Sequence, residues 1–266
     1  MTTPARDLWA HLRQHTTARI ALGRTGVSLP TRELLDFSLA HAQARDAIHL
    51  PLDTEALCAE LEQQGWLAPL LLHSQARDRH EYLLRPDLGR RLDAASAQRL
   101  GLAAAESPDL VLVLGDGLSA LGIQQHGAAL LGAIRRALSS AFDPALRLGP
   151  LVVVRQARVA VADEVGERLG AKAVAMVVGE RPGLSSPDSV GIYLTHAPRV
   201  GCSDAQRNCI SNVRPAGQDL DTAARRLAWL LGESRRLGLT GVGLKDQSGL
   251  PLTGLPTAPG SPPGLN

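Results

Sequence analysis

The chain has 266 residues, 44% apolar and 20% charged, which excludes a disordered or fibrous polypeptide and supplies a core for one large or two smaller domains. Aromatics make up only 3%, so Leu, Val and Ala must fill that core, and stacking platforms for single-stranded nucleic acid are not expected. The net charge of +2 comes from 28 Lys and Arg against 26 acidic residues, with Lys172 and Lys245 the only lysines; this fits either fixed bidentate pairing by Arg at interfaces or a GC-rich genome.

Residues 4–15 place Leu8, Trp9 and Leu12 among charged neighbours, as in a short amphipathic helix or a frayed terminus. Residues 16–30 are a polar connection in which Arg19 and Arg24 stand beside Gly23 and Gly26, either to approach an anion or to lie solvated. Pro30 opens a helix to about residue 48, because its missing N–H falls where a helix leaves donors unpaired anyway. Leu34, Leu35, Leu39 and Ala42 line one side of it, with Arg32, Asp36 and Gln43 on the other, so it covers a core or meets a partner. Asp53 to Gln64 is a second helix, with Leu57 and Leu61 four apart and Gly65 as its stop. Leu67 to His73 is apolar and reads equally as strand or helix, and Arg85-Pro86-Asp87 opens a further short helix. Residues 1–104 thus read as a mostly helical N-terminal domain.

The pattern changes at Ser107-Pro108. Asp109 to Leu114 is a continuous apolar strand, followed by Gly115-Asp116-Gly117 and a long helix from about Ser119 to Ser139. Leu151 to Val154, Ala173 to Val178 and Val190 to Leu194 are further strands, and Gly241 to Leu244 is a short last one. Asp163 to Leu169 and Asp219 to Leu237 are helices. Strands apolar along their whole length, alternating with helices, predict an α/β fold: a Rossmann-like, mainly parallel, doubly wound sheet over residues 105–249. Residues 250–266 are rich in Pro and Gly without periodicity and read as a disordered tail.

Ligands of such a sheet lie beyond the carboxyl ends of its strands. That selects the loops beginning at Gly115, Arg155 and Gly179, which carry Asp116, Arg155, Arg158, Val159, Glu180 and Arg181. The helix after the last loop is expected to place Asn208 and Cys209 within reach. Residues 115–122 look like a dinucleotide fingerprint, but the third Gly falls two positions late and Asp116 would repel a pyrophosphate. No Walker motif, zinc-ligand spacing, paired carboxylates or nucleophile elbow is present, and Cys209 has no histidine close in sequence. The expectation is a ligand-binding domain with no catalytic set and no metal site of its own. Cys58, Cys202 and Cys209 suit a reducing, cytoplasmic compartment, and no run approaches the ~20 apolar residues that span a membrane. The residues alone leave two alternatives: a non-catalytic ligand-binding or assembly module, and a stand-alone hydrolase or oxidoreductase.

Two segments go further. Gly179-Glu180-Arg181-Pro182-Gly183-Leu184 and Arg207-Asn208-Cys209-Ile210-Ser211-Asn212 resemble the signature segments of the small (light) subunit of ethanolamine ammonia-lyase. Further matches are Ala18 to Arg24, Leu29 to Phe37, Arg85 to Arg90 and Asp116 to Ala120, in order along nearly the whole chain. The resemblance implies an adenosylcobalamin enzyme that converts ethanolamine to acetaldehyde and ammonia by radical chemistry. It implies a large barrel subunit that holds the substrate, with this chain clamping the cofactor at the interface and inactive by itself. Carried over residue by residue, the cofactor contacts fall on Val159, Glu180 and Cys209. The family also implies a hetero-oligomer of several large–small pairs, and an N-terminal segment that can serve as an address for a bacterial microcompartment. Asp78-Arg79-His80 begins like the Asp-x-His-x-x-Gly motif that places a histidine on cobalt, but Leu83 stands at the Gly position. That implies a base-on cofactor, with cobalamin keeping its own base as lower ligand.

Overall fold

A computed structural model describes residues 9–16, 18–102 and 107–249. The helices are α1 (Thr31–His49), α2 (Thr54–Gln63), α3 (Arg79–Leu84), α4 (Ala94–Leu102), α5 (Ala120–Ala141), α6 (Val161–Arg168) and α7 (Leu220–Leu237). The strands are β1 (Leu70–His73), β2 (Val111–Gly115), β3 (Val152–Arg155), β4 (Ala173–Gly179), β5 (Val190–His196) and β6 (Arg207–Val213). They form one mixed α/β sheet of order β1-β3-β2-β4-β5-β6. The pairs from β1 to β4 are parallel, and β4-β5-β6 is antiparallel.

The continuous apolar runs have a simple cause. Successive strand residues point to opposite faces, and here both faces are covered. Leu110, Leu112 and Leu114 enter one core with Leu151, Val153, Ala175 and Val177, under α2, α5 and α7. Val111 and Val113 enter the other with Val152, Val154, Val174 and Met176, against α6 and the Leu100 side of α4. Side-chain caps set the starts of α2, α5 and α7, among others. The carboxylates of Asp53 and Asp219 accept from the N–H groups of Ala56 (3.0 Å) and Thr222 (2.9 Å), and Ser119 accepts from Gly122. Helix α7 stops at Gly238, whose left-handed φ of 70° suits glycine.

Four segments differ from, or resolve, the sequence expectation. Leu67 to His73 becomes β1, which pairs with β3 at the sheet edge. Residues 207–212 lie neither in a loop nor on a helix; they form the opposite edge strand, β6, antiparallel to β5. Gly241 to Leu244 is not a strand: Gly241–Gly243 is a single 3-10 turn, held by Asn208. On α1 the leucines do not meet this chain's core. Leu34, Leu35 and Leu39 are 51%, 62% and 60% exposed, and only Ala40 and Ala47 are buried. Of the N-terminal amphipathic segment, Ala10–Gln14 forms a 3-10 turn tied by Arg13 to Glu33 at 3.2 Å, and Leu8 lies outside the described residues. The expected boundary at 104/105 and the tail 250–266 also lie outside them.

Candidate functional site

The carboxyl ends of β2, β3 and β4 meet at one open crevice of about 410 Å³. It is lined by Gly117 and Leu118 after β2, by Ala157, Arg158 and Val159 after β3, and by Val178 to Arg181 at the end of β4. Tyr82 and Tyr193 complete the lining.

The loops are held by close backbone approach. A Cβ on Gly117, whose φ is +61°, would lie 2.1 Å from the Gly179 carbonyl oxygen; one on Gly179 would lie 2.0 Å from that of Ser119. Only glycine fits at these two positions, and the approach lets Leu118 N–H donate to Gly179 O at 3.0 Å. Asp116 supports the next loop. Its buried carboxylate accepts from the N–H groups of Gln156 (2.8 Å) and Ala157 (2.9 Å), so it faces away from any ligand. Burial pushes its pKa up, against those two hydrogen bonds. Gln156 takes a left-handed φ of 54°, a strained turn that this clamp maintains.

Tyr82 is the pillar. It is fully buried and donates its hydroxyl to Ala157 O at 3.0 Å. Its ring lies between two guanidinium groups, Arg158 at 4.2 Å and Arg79 at 4.7 Å. Arg79 also donates to the carbonyls of Ile48 (2.6 Å), Gly117 (2.7 Å) and Leu118 (3.0 Å), so one side chain joins the end of α1 to the loop after β2. Arg158 N–H donates to Gly89 O at 2.8 Å, which docks the 85–90 segment on the loop after β3. Burial raises the Tyr82 phenol above its ordinary range, opposed by Arg158, so it stays a neutral donor.

Glu180 and Cys209 share the other wall. Opposite β5, strand β6 carries an extra residue between the Ile192–Ile210 and Val190–Val213 pairs. Asn212 sits in that bulge at φ 55°, and its N–H donates to Glu180 Oε2 at 3.1 Å. Cys209 lies directly across from Tyr193 in the strand pairing. Cys209 is an exposed residue of β6; partial enclosure of its thiol by the protein pushes its pKa up, with Glu180 adding to the rise. Val159 and Glu180 therefore line the crevice, and Cys209 backs it through Tyr193. Arg207 and Asn208 have structural roles. Arg207 is buried and paired with Asp163 and Asp204, while Asn208 holds the turn at Gly241. Arg155 ends β3 on an exposed position away from the lining.

Sequence reasoning passed over Tyr82, Tyr193 and Arg79. One signal was available: the chain has only two tyrosines, and both line this crevice. Among the described residues no three His, Cys, Asp or Glu side chains gather as a metal-binding set, and no helix is long and apolar enough to cross a membrane.

Comparison with known proteins gives the family. Residues 6–245 match the family model described as Ethanolamine ammonia-lyase light chain (EutC). An ethanolamine ammonia-lyase small subunit of Ralstonia nicotianae is 56% identical over 253 residues, covering 94% of this chain and 92% of that protein. The protein of that name from Xanthomonas campestris is 54% identical over 260 residues, covering 97% and 94%. One from Pseudomonas aeruginosa is 57% identical over 247 residues, covering 92% and 89%.

Proposed function

This chain belongs to the ethanolamine ammonia-lyase light-chain family, and on that premise we propose that it grips adenosylcobalamin against a large catalytic subunit. It is the small subunit of a lyase built from large and small subunits. The observation that carries the cofactor reading is the crevice itself. Val159 and Glu180 line it, and Cys209 lies across from Tyr193 in its wall.

The residues present fit a corrin. Such a ring is rimmed by amides and has apolar edges. Leu118, Val159 and Val178 offer apolar contact, and Glu180, with one oxygen already on Asn212, can accept from amide N–H groups. Arg158 lines the same crevice, held by its stack on Tyr82. A crevice of about 410 Å³ is near the lower end for drug-sized ligands, so it can cover one side of a corrin but not enclose it. The rest of the enclosure belongs to the large subunit. When bound, the cofactor supplies the radical chemistry that turns ethanolamine into acetaldehyde and ammonia. This chain positions it and keeps water from one side. The histidine motif is broken at Leu83, and Asp78 instead caps α3 by accepting from Glu81 N–H at 2.8 Å. Both support a base-on cofactor.

In this reading residues 105–249 carry the cofactor surface, and residues 1–104 brace it and face the partner. The exposed leucines of α1 support such an assembly, since contiguous apolar surface on a globular protein marks an interaction site. Several large–small pairs make up the whole, and the N-terminal segment is the candidate microcompartment address.

Reconstitution tests the proposal. The purified chain is added to the large subunit with adenosylcobalamin and ethanolamine, and ammonia is measured. Ammonia release and cobalamin retention should both require this chain; full release in its absence would overturn the reading.

A further inference from the structure

Two guanidinium groups at the crevice hold donors that the protein does not use. Arg158 lines the crevice, positioned by its stack on Tyr82 and by an Nη2 donation to Tyr82 O at 3.3 Å. Arg181 is exposed on the loop after β4 and lines the same crevice. Glu180, with one oxygen on Asn212 N–H, offsets one of these charges, and Asp116 is held by two N–H groups beneath the loop. Arg79, on the other face of Tyr82, adds a third positive charge. Amides and methyl groups do not call for such a field. An anion does, and a planar guanidinium matches phosphate oxygens in particular.

We propose that Arg158 and Arg181 form an anion subsite that takes the phosphodiester of the cobalamin nucleotide tail. This rests on the reading of the crevice as the cofactor grip. It adds a distinct contact: Val159 and Glu180 meet the corrin, while the two arginines hold the linker that carries the lower base. The subsite favours a complete cobalamin over a corrin that lacks phosphate and base.

The test uses the complex of full-length chain and large subunit. Binding of cyanocobalamin and of dicyanocobinamide, which lacks the phosphodiester and base, is measured by equilibrium dialysis for the unmodified complex and for Arg158→Met and Arg181→Gln. Each substitution should weaken cyanocobalamin about tenfold or more, the scale of a lost charged hydrogen bond, and leave cobinamide within about twofold. Equal weakening of both ligands, or of neither, would overturn the subsite. Arg181 is exposed, so its variant reports even if Arg158→Met disturbs the Tyr82 stack. Inorganic phosphate should displace cyanocobalamin only weakly; strong displacement would show a site for the free anion and overturn the assignment. An unmodified complex that bound neither corrin would overturn the cofactor reading and the subsite with it, whereas good cobalamin binding unchanged by either substitution would overturn the subsite alone.

Discussion

Helices α1 and α5 are of similar length and similarly rich in Leu and Ala, yet they sit in opposite circumstances. Of the 22 residues of α5, eleven are buried, against β2, β4 and α7. Of the 19 residues of α1, two are buried, and both are alanines. The contrast extends to the regions that hold them. Residues 107–249 build most of the two-sided core around β2, to which the first hundred residues add Leu52, Leu57 and Leu61 on one side and Leu72, Leu92 and Leu100 on the other. Specific polar links add to this: β1 pairing with β3, Tyr82 to Ala157, Arg79 to Gly117 and Leu118, and Arg91 and Leu92 to Glu164 among them. Apolar content therefore does not tell whether a helix is core or interface. What it packs on decides.

The sharpest way to break this contrast is to cut a side chain from α5. Leu131 is fully buried between the sheet and α7, so Leu131→Ala should lower stability by about 2–5 kcal/mol in urea unfolding. A loss similar to that of an α1 leucine would refute the two-region picture. Next comes a link between the regions. The carboxylate of Glu164 is buried and accepts from Arg91 Nε (2.9 Å), Leu92 N (3.1 Å) and Arg168 Nε (3.0 Å). Glu164→Gln should cost about 1.5–3 kcal/mol at neutral pH.

The same residue gives a pH dependence. Burial acts to raise the Glu164 pKa, but Arg91, the Leu92 N–H and Arg168 together hold it below the ordinary value of 4.5. The folded state thus binds this proton less readily than the unfolded chain does. Its contribution is complete above pH 4.5 and is lost as pH falls through the lowered value. Denaturation followed from pH 6 downward should show a flatter acid limb for Glu164→Gln than for the parent; parallel limbs would reject the assignment.

A smaller effect is expected at the second link. Tyr82→Phe keeps the ring between Arg79 and Arg158 but loses the bond to Ala157 O, for a cost of about 1 kcal/mol. Hydrogen exchange at the Arg158 and Val159 amides should rise with it. The smallest change is on α1. Leu35→Ala should alter the stability of the isolated chain by less than about 0.5 kcal/mol. Leu35→Glu should nevertheless weaken association with the large subunit, measured by co-elution. An unchanged association would remove α1 from the proposed interface.

Much of this protein was legible in its residues. The runs 109–114, 151–154 and 173–178 could be read as strands because a strand covered on both faces must be apolar throughout. Asp53, Ser119 and Asp219 marked helix starts because capping is a local event. The family segments at 179–184 and 207–212 were legible for the same reason: their residue order is a one-dimensional fact. What tertiary structure alone decided is who meets whom. A strand and an edge look alike until pairing is known, so 67–73 stayed ambiguous and 207–212 was misplaced. That Tyr82 reaches Ala157 across 75 positions, or that a bulge turns the Asn212 N–H toward Glu180, depends on contacts that no local period encodes. The direction in which α1 turns its leucines was likewise beyond the sequence, because periodicity fixes which side chains share a face but not what that face touches.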